Sequence, residues 1–221
     1  MSAFYSVAFH DRIEILTDGV FYHPDGTLLA IMEKVWRHPN LPVAIVGRGS
    51  FELQAYAETV LAWEIPSVDD LLVRATALML RMQEFERSDQ FEALIAGISE
   101  TGGPLMLYFS TAKAYAELEP WTPYFVGPAF GGGPVPAADD LVGLDLMAGL
   151  AACGVQLFEA MRKVPGPNPT KPGLPEVYGI GGHVDLTVVD ASGARTTRLH
   201  AWPEDVVGYK IAPASVLREA A

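Results

Sequence analysis

The stretch SAFYSVAFHDRIEILTD, residues 2–18, predicts the first strand pairing of the fold. AFYSVAF is a short apolar segment, HDR is a polar turn, and IEILTDG is a second apolar segment. Two apolar runs on either side of a short polar turn are typical of a β-hairpin. We therefore expect an N-terminal hairpin that begins directly behind Ser2 and ends at Asp18.

The composition predicts one domain, spanning residues 1–221, with a sizeable buried core. Half of the residues are hydrophobic and only 19% are charged, which is unlike the composition of disordered chains. The formal net charge is −12, and the 15 basic residues are scattered along the chain. Because nucleic-acid affinity depends largely on clustered Lys and Arg, we expect no nucleic-acid partner.

The sequence also argues against a membrane span, a cofactor and a disulfide. The apolar runs are shorter than a bilayer requires, and the N-terminal residues lack the pattern of a signal peptide, so we expect a cytoplasmic protein. The glycine-rich loop FGGGPVPAADD lacks the Gly-Lys-Ser/Thr ending of a phosphate-binding loop, and we expect no cofactor. Cys153 is the only cysteine and lies in an apolar stretch, which favours a core position.

Strands and helices are predicted to alternate in blocks. Ser50 and Ser67 precede two segments with helical spacing of apolar residues, and the apolar segment 137–163 predicts a third long helix. Strands are predicted before the first helix, between the second and third, and after the third. Blocks of strands that pack against blocks of helices indicate a layered α+β fold.

A late strand carries three polar residues on one face. In GHVDLTV, His183, Asp185 and Thr187 alternate with Val184, Leu186 and Val188. The three polar side chains could form a metal-binding or catalytic face. More often such a row is the solvated or hydrogen-bonded face of a strand, and we expect no metal site.

Charged residues and glycines follow the N-terminal serine at regular distances. Asp18 lies 16 residues after Ser2, and Lys34 lies 16 residues after Asp18. The strand LPVAIVGRGS then leads into Gly47 and Gly49. Each residue alone has an ordinary interpretation as a turn, a solvated charge or a strand end. Their joint spacing, with strands around them, is much less expected by accident.

This spacing resembles that of the proteasome β-subunit group of N-terminal-nucleophile (Ntn) hydrolases. The resemblance implies a four-layer α/β/β/α sandwich of two antiparallel sheets flanked by helices. It also implies that Ser2 becomes the nucleophile after removal of Met1, with Asp18 and Lys34 beside it. A backbone N–H near Gly47 and Gly49 would then form the oxyanion hole.

The chemistry of such a site requires these residue types. A serine hydroxyl is a weak nucleophile near neutral pH and needs a base, which a free α-amine on the same residue can supply. A lysine ammonium nearby would lower the pKa of that amine, and a buried aspartate would hold the lysine in place. The expected reaction is acyl transfer from a peptide or other amide to Ser2, followed by hydrolysis of the ester.

The resemblance also implies a substrate pocket and an assembly. By analogy, the apolar residues Phe21, Met32 and Val46 would line the pocket, and the chain would form a homo-oligomer or a larger assembly. The alternative is a catalytically inactive proteasome-like subunit with a structural role, since a retained Met1 would lock the amine of Ser2 in a peptide bond.

Overall fold

The structure is a computed structural model, and it describes residues 2–23, 25–84, 90–167 and 175–213. The strands in these ranges are β1 (Phe4–Ala8), β2 (Arg12–Asp18), β3 (Val20–Tyr22), β4 (Leu28–Ile31), β5 (Trp36–Arg37), β6 (Val43–Gly49), β7 (Phe91–Ser99), β8 (Gly103–Ser110), β9 (Tyr124–Phe125), β10 (Ala129–Gly132), β11 (His183–Asp190) and β12 (Gly193–Ala201). The α-helices in the same ranges are α1 (Glu52–Leu61), α2 (Val68–Gln83) and α3 (Leu150–Arg162). Met1 lies outside the described residues.

The N-terminal hairpin forms as the sequence predicts, and it lies at the centre of the first sheet. β1 and β2 pair antiparallel, with Phe4 opposite Thr17 and Ala8 opposite Ile13. The sheet has the strand order β10-β1-β2-β11-β12, and every neighbouring pair is antiparallel. Because β1 and β2 run antiparallel, the end of β2 and the start of β1 lie side by side at the same end of the sheet.

The second sheet has the order β5-β6-β7-β8-β9 and is also antiparallel throughout. A buried apolar cluster between the two five-stranded sheets joins them, and it includes Phe4, Ile15, Val46 and Leu94. The strands β3 and β4 form a third, two-stranded sheet of their own. The third sheet joins the end of β2 to the segment that carries Lys34.

The helices cover the sheets unevenly. Residues of α1 and α2 share a buried cluster with the second sheet, whereas α3 packs against the first sheet. Ser67 caps α2 as expected, because its hydroxyl accepts a hydrogen bond from the Asp70 backbone N–H at 3.1 Å. Cys153 is buried in α3. Within the described ranges, no helix combines the length and the apolar character that a membrane crossing needs.

The predicted fold class is wrong: in the described residues antiparallel β-structure in three sheets predominates over helix, in place of a four-layer sandwich of two sheets flanked by helices. Of the described residues, 36% are in β-structure and 23% in helices. Residues 137–149, expected to be helical, form two short 3-10 turns, and α3 begins only at Leu150. Gly143 and Gly149 have positive φ angles of 84° and 101°, which right-handed helices do not contain.

Candidate functional site

Lys34 lies between the first serine of the chain and a buried carboxylate. Its Nζ atom donates a hydrogen bond to Oδ2 of Asp18 at 2.9 Å and another to Oγ of Ser2 at 2.8 Å. The side chain of Lys34 is only 5% exposed, and that of Asp18 is fully buried. The structure therefore brings together the three residues that the sequence spacing singled out.

The backbone around the N-terminal hairpin fixes the orientation of Asp18. Its Oδ1 atom accepts a hydrogen bond from the Ala3 N–H at 2.9 Å, and Oδ2 accepts one from the Val20 N–H at 3.2 Å. One donor belongs to the residue that follows Ser2, and the other to the start of β3. Because the carboxylate accepts hydrogen bonds from both segments and from Lys34, it fixes the position of Lys34 relative to the N-terminal strand.

Burial and the paired carboxylate shift the pKa of Lys34 in opposite directions. Burial lowers the pKa of the Lys34 ammonium below its usual range, while the charge and hydrogen bond of Asp18 raise it and offset part of that effect. Lys34 Nζ also lies 5.2 Å from the centre of the Phe21 ring. A cation so confined exerts a stronger field on the Ser2 hydroxyl than a solvated lysine does.

Gly47 and Gly49 lie at the end of β6, where the backbone passes very close to β7. A Cβ atom on Gly47 would lie 2.0 Å from the carbonyl oxygen of Glu92, and one on Gly49 would lie 2.3 Å from that of Gln90. Gly49 also has a φ of 118°, a conformation that favours glycine. Both positions therefore require glycine on steric grounds, independently of any role in a reaction.

A pocket of about 640 Å³ opens beside this group. Its lining includes Ser2, Lys34, Gly47, Gly49 and Phe21. Four of the five residues with a predicted catalytic role therefore face one cavity, and the fifth, Asp18, lies buried behind Lys34. The cavity volume is in the range of pockets that bind small ligands or short peptide segments.

Of the three residues expected in the substrate pocket, only Phe21 is among the lining residues. Val46 is fully buried in the cluster between the two large sheets, because alternate residues of β6 point to opposite faces. Met32 follows β4 and is 48% exposed, but it is not a lining residue either.

Sequence reasoning missed the residues that complete the pocket wall. Phe51, at the start of α1, is 69% exposed and stacks on Phe21 with ring centres 6.4 Å apart and an interplanar angle of 13°. Arg48 and Lys113 add two cations to the lining. The position of Arg48 between two glycines is the one sequence signal that could have drawn attention to it.

The polar face of β11 forms an internal network. His183 Nε2 lies 3.0 Å from Oδ2 of Asp185, and Arg198 donates from Nε to Oδ1 of Asp185 at 2.9 Å. The hydroxyls of Thr187 and Thr196 lie 2.8 Å apart. The described ranges contain no group of three or more His, Cys, Asp or Glu residues able to hold a metal ion. The contacts of His183, Asp185 and Thr187 make this a hydrogen-bonded strand face, one of the interpretations that the sequence pattern allowed.

Hydrogen bonds and burial shift the pKa of Asp185 in opposite directions. Burial alone raises the pKa of this carboxyl, but the hydrogen bonds from His183 and Arg198 bring the pKa down to about 2. A Cβ atom on Gly19 would lie 2.2 Å from the His183 ring, so this network packs directly against the residue after Asp18. The network lies behind the site, where its packing on Gly19 supports the backbone next to Asp18.

Comparisons with known proteins do not assign the chain to a family. No family model matches the sequence, and no match is found among curated proteins.

Proposed function

We propose that this protein is a hydrolase of a peptide or other amide bond that uses Ser2 as an N-terminal nucleophile. The observation that carries the proposal is the 2.8 Å hydrogen bond between Lys34 Nζ and Ser2 Oγ, made by a lysine that is ion-paired to a buried aspartate. The Ser2 hydroxyl also lines a pocket large enough for a substrate. A resemblance to the spacing in proteasome β subunits supports the same reaction.

The reaction begins after cleavage of the Met1–Ser2 peptide bond, which frees the α-amine of Ser2. This amine, directly or through one water, takes the proton from Oγ as Oγ attacks the substrate carbonyl. The tetrahedral intermediate collapses, the C–N bond breaks, and the leaving nitrogen receives the proton. Water, deprotonated by the same amine, then hydrolyses the acyl ester and regenerates the hydroxyl of Ser2.

Lys34 and Asp18 stabilise the charges that form during this reaction. The Lys34 ammonium faces Oγ and stabilises negative charge on it, and it also lowers the pKa of the neighbouring amine, which keeps that base neutral. Asp18 fixes the position of the ammonium. In this proposal a backbone N–H of Gly47 or Gly49, which both line the pocket, donates to the oxyanion, a contact typically worth about 3 kcal/mol.

A cytoplasmic location and a homo-oligomeric or larger assembly are parts of this proposal; the location rests on the sequence pattern, and the assembly rests on the resemblance. The competing hypothesis is an inactive proteasome-like subunit. The two differ in one measurable property, the chemical state of Ser2. An inactive subunit needs neither a free amine nor a reactive hydroxyl at this position.

The first experiment is intact-mass and N-terminal analysis of the purified protein, followed by labelling with an acyl or sulfonyl electrophile. We expect a free N-terminal Ser2 and a stoichiometric adduct on it. Ser2→Ala should abolish the adduct, whereas Ser2→Thr, which keeps a hydroxyl, should retain it. A retained Met1, or undiminished labelling of Ser2→Ala, would overturn the proposal.

Ser6→Ala is the matched control. Ser6 lies on β1, the strand that follows Ser2, but its hydroxyl donates to the Phe130 carbonyl at 2.7 Å and Ser6 is not part of the pocket lining. Its loss should leave labelling unchanged. A parallel loss of labelling in both variants would indicate a general effect on β1 and not a nucleophile at Ser2.

A further inference from the structure

The pocket wall carries three cationic side chains, each of them paired with a carboxylate. Among the residues that the structure describes, the lining includes the cations Lys34, Arg48 and Lys113, and Glu92 as the one carboxylate. Arginine and lysine N–H donors that remain available at a concave wall suit a ligand that carries a carboxylate.

Arg48 is held rigidly at this wall. Its guanidinium pairs with Glu92 through Nε and Nη2, and the other oxygen of Glu92 accepts a hydrogen bond from the Tyr108 hydroxyl at 2.8 Å. The guanidinium also lies against Gly132, where a Cβ atom would come within 2.8 Å of its Cζ. A guanidinium has five N–H donors, so a pair with Glu92 leaves capacity for a second carboxylate.

Lys113 supplies a second cation of a different kind. It pairs with Glu119, but both side chains are largely exposed, at 45% and 67%. Exposed ion pairs of this kind contribute little stability, and their members exchange partners at low cost. The ammonium of Lys113 is therefore available to a ligand, whereas that of Lys34 is committed to Asp18 and Ser2.

The aromatic stack adds an apolar contact to the same pocket. Phe51 leaves most of its ring in contact with solvent while it stacks on Phe21. An apolar group bound there would remove this ring surface from water, which favours binding. The pocket thus offers a cationic wall and an aromatic surface within one cavity.

We infer that the substrate of this pocket is an acyl compound that carries a carboxylate, bound by Arg48 with Lys113 as a second contact, and an apolar group that packs on Phe21 and Phe51. This inference rests on the proposed function for the reacting bond. The binding of the carboxylate itself does not require that Ser2 react. The binding of the carboxylate and the reaction of Ser2 can therefore be tested separately.

The test is a calorimetric comparison of two probes, N-acetylphenylalanine and N-acetylphenylalaninamide, in which a carboxylate is replaced by an uncharged carboxamide. The measurement uses Ser2→Ala, so that the proposed nucleophile cannot cleave either probe. We expect the acid to bind about tenfold more tightly or better, as charge-assisted hydrogen bonds do. The ratio should shrink as salt is raised. Equal affinity for the two probes, or tighter binding of the amide, would overturn the inference.

Variants then assign the effect to residues. Arg48→Met alone leaves Glu92 buried and unpaired and can unfold the chain, so Arg48→Met is combined with Glu92→Gln to remove both charges together. We expect this pair of changes to abolish the preference for the acid. Lys113→Gln, at an exposed position, should reduce the preference about two- to threefold. A preference that survives in both variants would exclude this wall as the binding site.

Two controls match these variants away from the pocket. Arg12 is a partly exposed arginine paired with the buried Glu14 at 2.7 Å, and Lys163 is an exposed lysine paired with Asp140 at 3.2 Å. Arg12→Met and Lys163→Gln should keep the full preference. If the acid binds more tightly than the amide but Ser2 fails to label, the proposed function fails and the anion site stands. If Ser2 labels but the probes show no preference, the anion site fails and the proposed function stands.

Discussion

Two buried ion pairs lie in different parts of the molecule and have different surroundings. Lys34 and Asp18 are 2.9 Å apart, with side chains 5% and 0% exposed, beside the pocket. Arg162 and Asp205 are 2.7 Å apart, with side chains 2% and 1% exposed, on the far side of the first sheet. By burial and distance alone the two pairs are equivalent.

The difference is in the remaining hydrogen-bond donors. The Arg162 guanidinium contacts Asp205 through both Nη atoms, donates to the Ile180 carbonyl at 2.7 Å, and packs 4.6 Å from the Trp202 ring. Asp205 also accepts the Gly182 N–H at 2.7 Å. These contacts tie α3 to the segment before β11 and are all internal.

Lys34, in contrast, directs a donor at a hydroxyl that lines a cavity. This contrast teaches that a buried charge pair alone does not indicate a reactive site. A reactive site is indicated when a charged hydrogen-bond donor points at a nucleophilic atom that borders a cavity. The Arg162 pair is expected to affect stability, and the Lys34 pair is expected to affect chemistry.

The largest effect is expected when Lys34 is replaced. Lys34→Met removes the ammonium beside Ser2 Oγ, and we expect the rate of labelling by the electrophile to fall by about a hundredfold or more. Asp18 keeps its two backbone N–H donors in this variant. Circular dichroism should show that the chain still folds.

If Lys34→Met does not fold, the combination with Asp18→Asn removes both charges and gives the same test. A folded variant that labels at the wild-type rate would remove Lys34 from the proposed mechanism. The comparison between the two pairs would then lose its basis, since both would be structural.

Replacement of Arg162 should change stability and leave the reaction intact. Arg162→Met leaves Asp205 buried and unpaired, and we expect a loss of about 3–5 kcal/mol in the free energy of unfolding, measured with urea. Arg37→Met, which breaks an exposed pair with Glu33, should change it by less than about 0.5 kcal/mol. The folded fraction of Arg162→Met should label at the wild-type rate.

Sequence reasoning located the first pair and missed the second for a physical reason. Asp18 and Lys34 lie near the ends of segments whose strand character is visible in the apolar pattern, so their spacing carries information. Arg162 and Asp205 are 43 residues apart, and Asp205 lies in an irregular segment. No local pattern specifies such a contact, because the packing of α3 on the first sheet creates it.

The same limit explains the errors in the fold and in the pocket. The apolar content of residues 137–149 indicates burial, but the positive φ angles of Gly143 and Gly149 decide against a helix. Val46 has the right character for a pocket residue, yet the alternation of β6 turns it toward the other sheet. Phe51 lines the pocket only because the start of α1 packs beside β3, which the sequence does not reveal.

The smallest effect is expected at the network behind the site, and it depends on pH. The pKa of Asp185 is about 2 in the folded chain, against an ordinary value of 3.8. Between these two pH values the unfolded chain binds more protons than the folded chain, so stability falls as the pH falls. A shift of this size corresponds to about 2 kcal/mol, present above pH 4 and lost by about pH 2.

Asp185→Asn should therefore lower the free energy of unfolding by about 2 kcal/mol at pH 7, and the difference from wild type should vanish near pH 2. Asp190→Asn is the matched control. Hydrogen bonds from Ser192 and an ion pair with Arg195 lower the pKa of Asp190 to about 2 as well, but its side chain is 24% exposed. Solvent screens that pair, so its loss should matter less. An equal effect of the two variants at every pH would show that the deeper burial of Asp185 adds nothing to the stability that its network contributes.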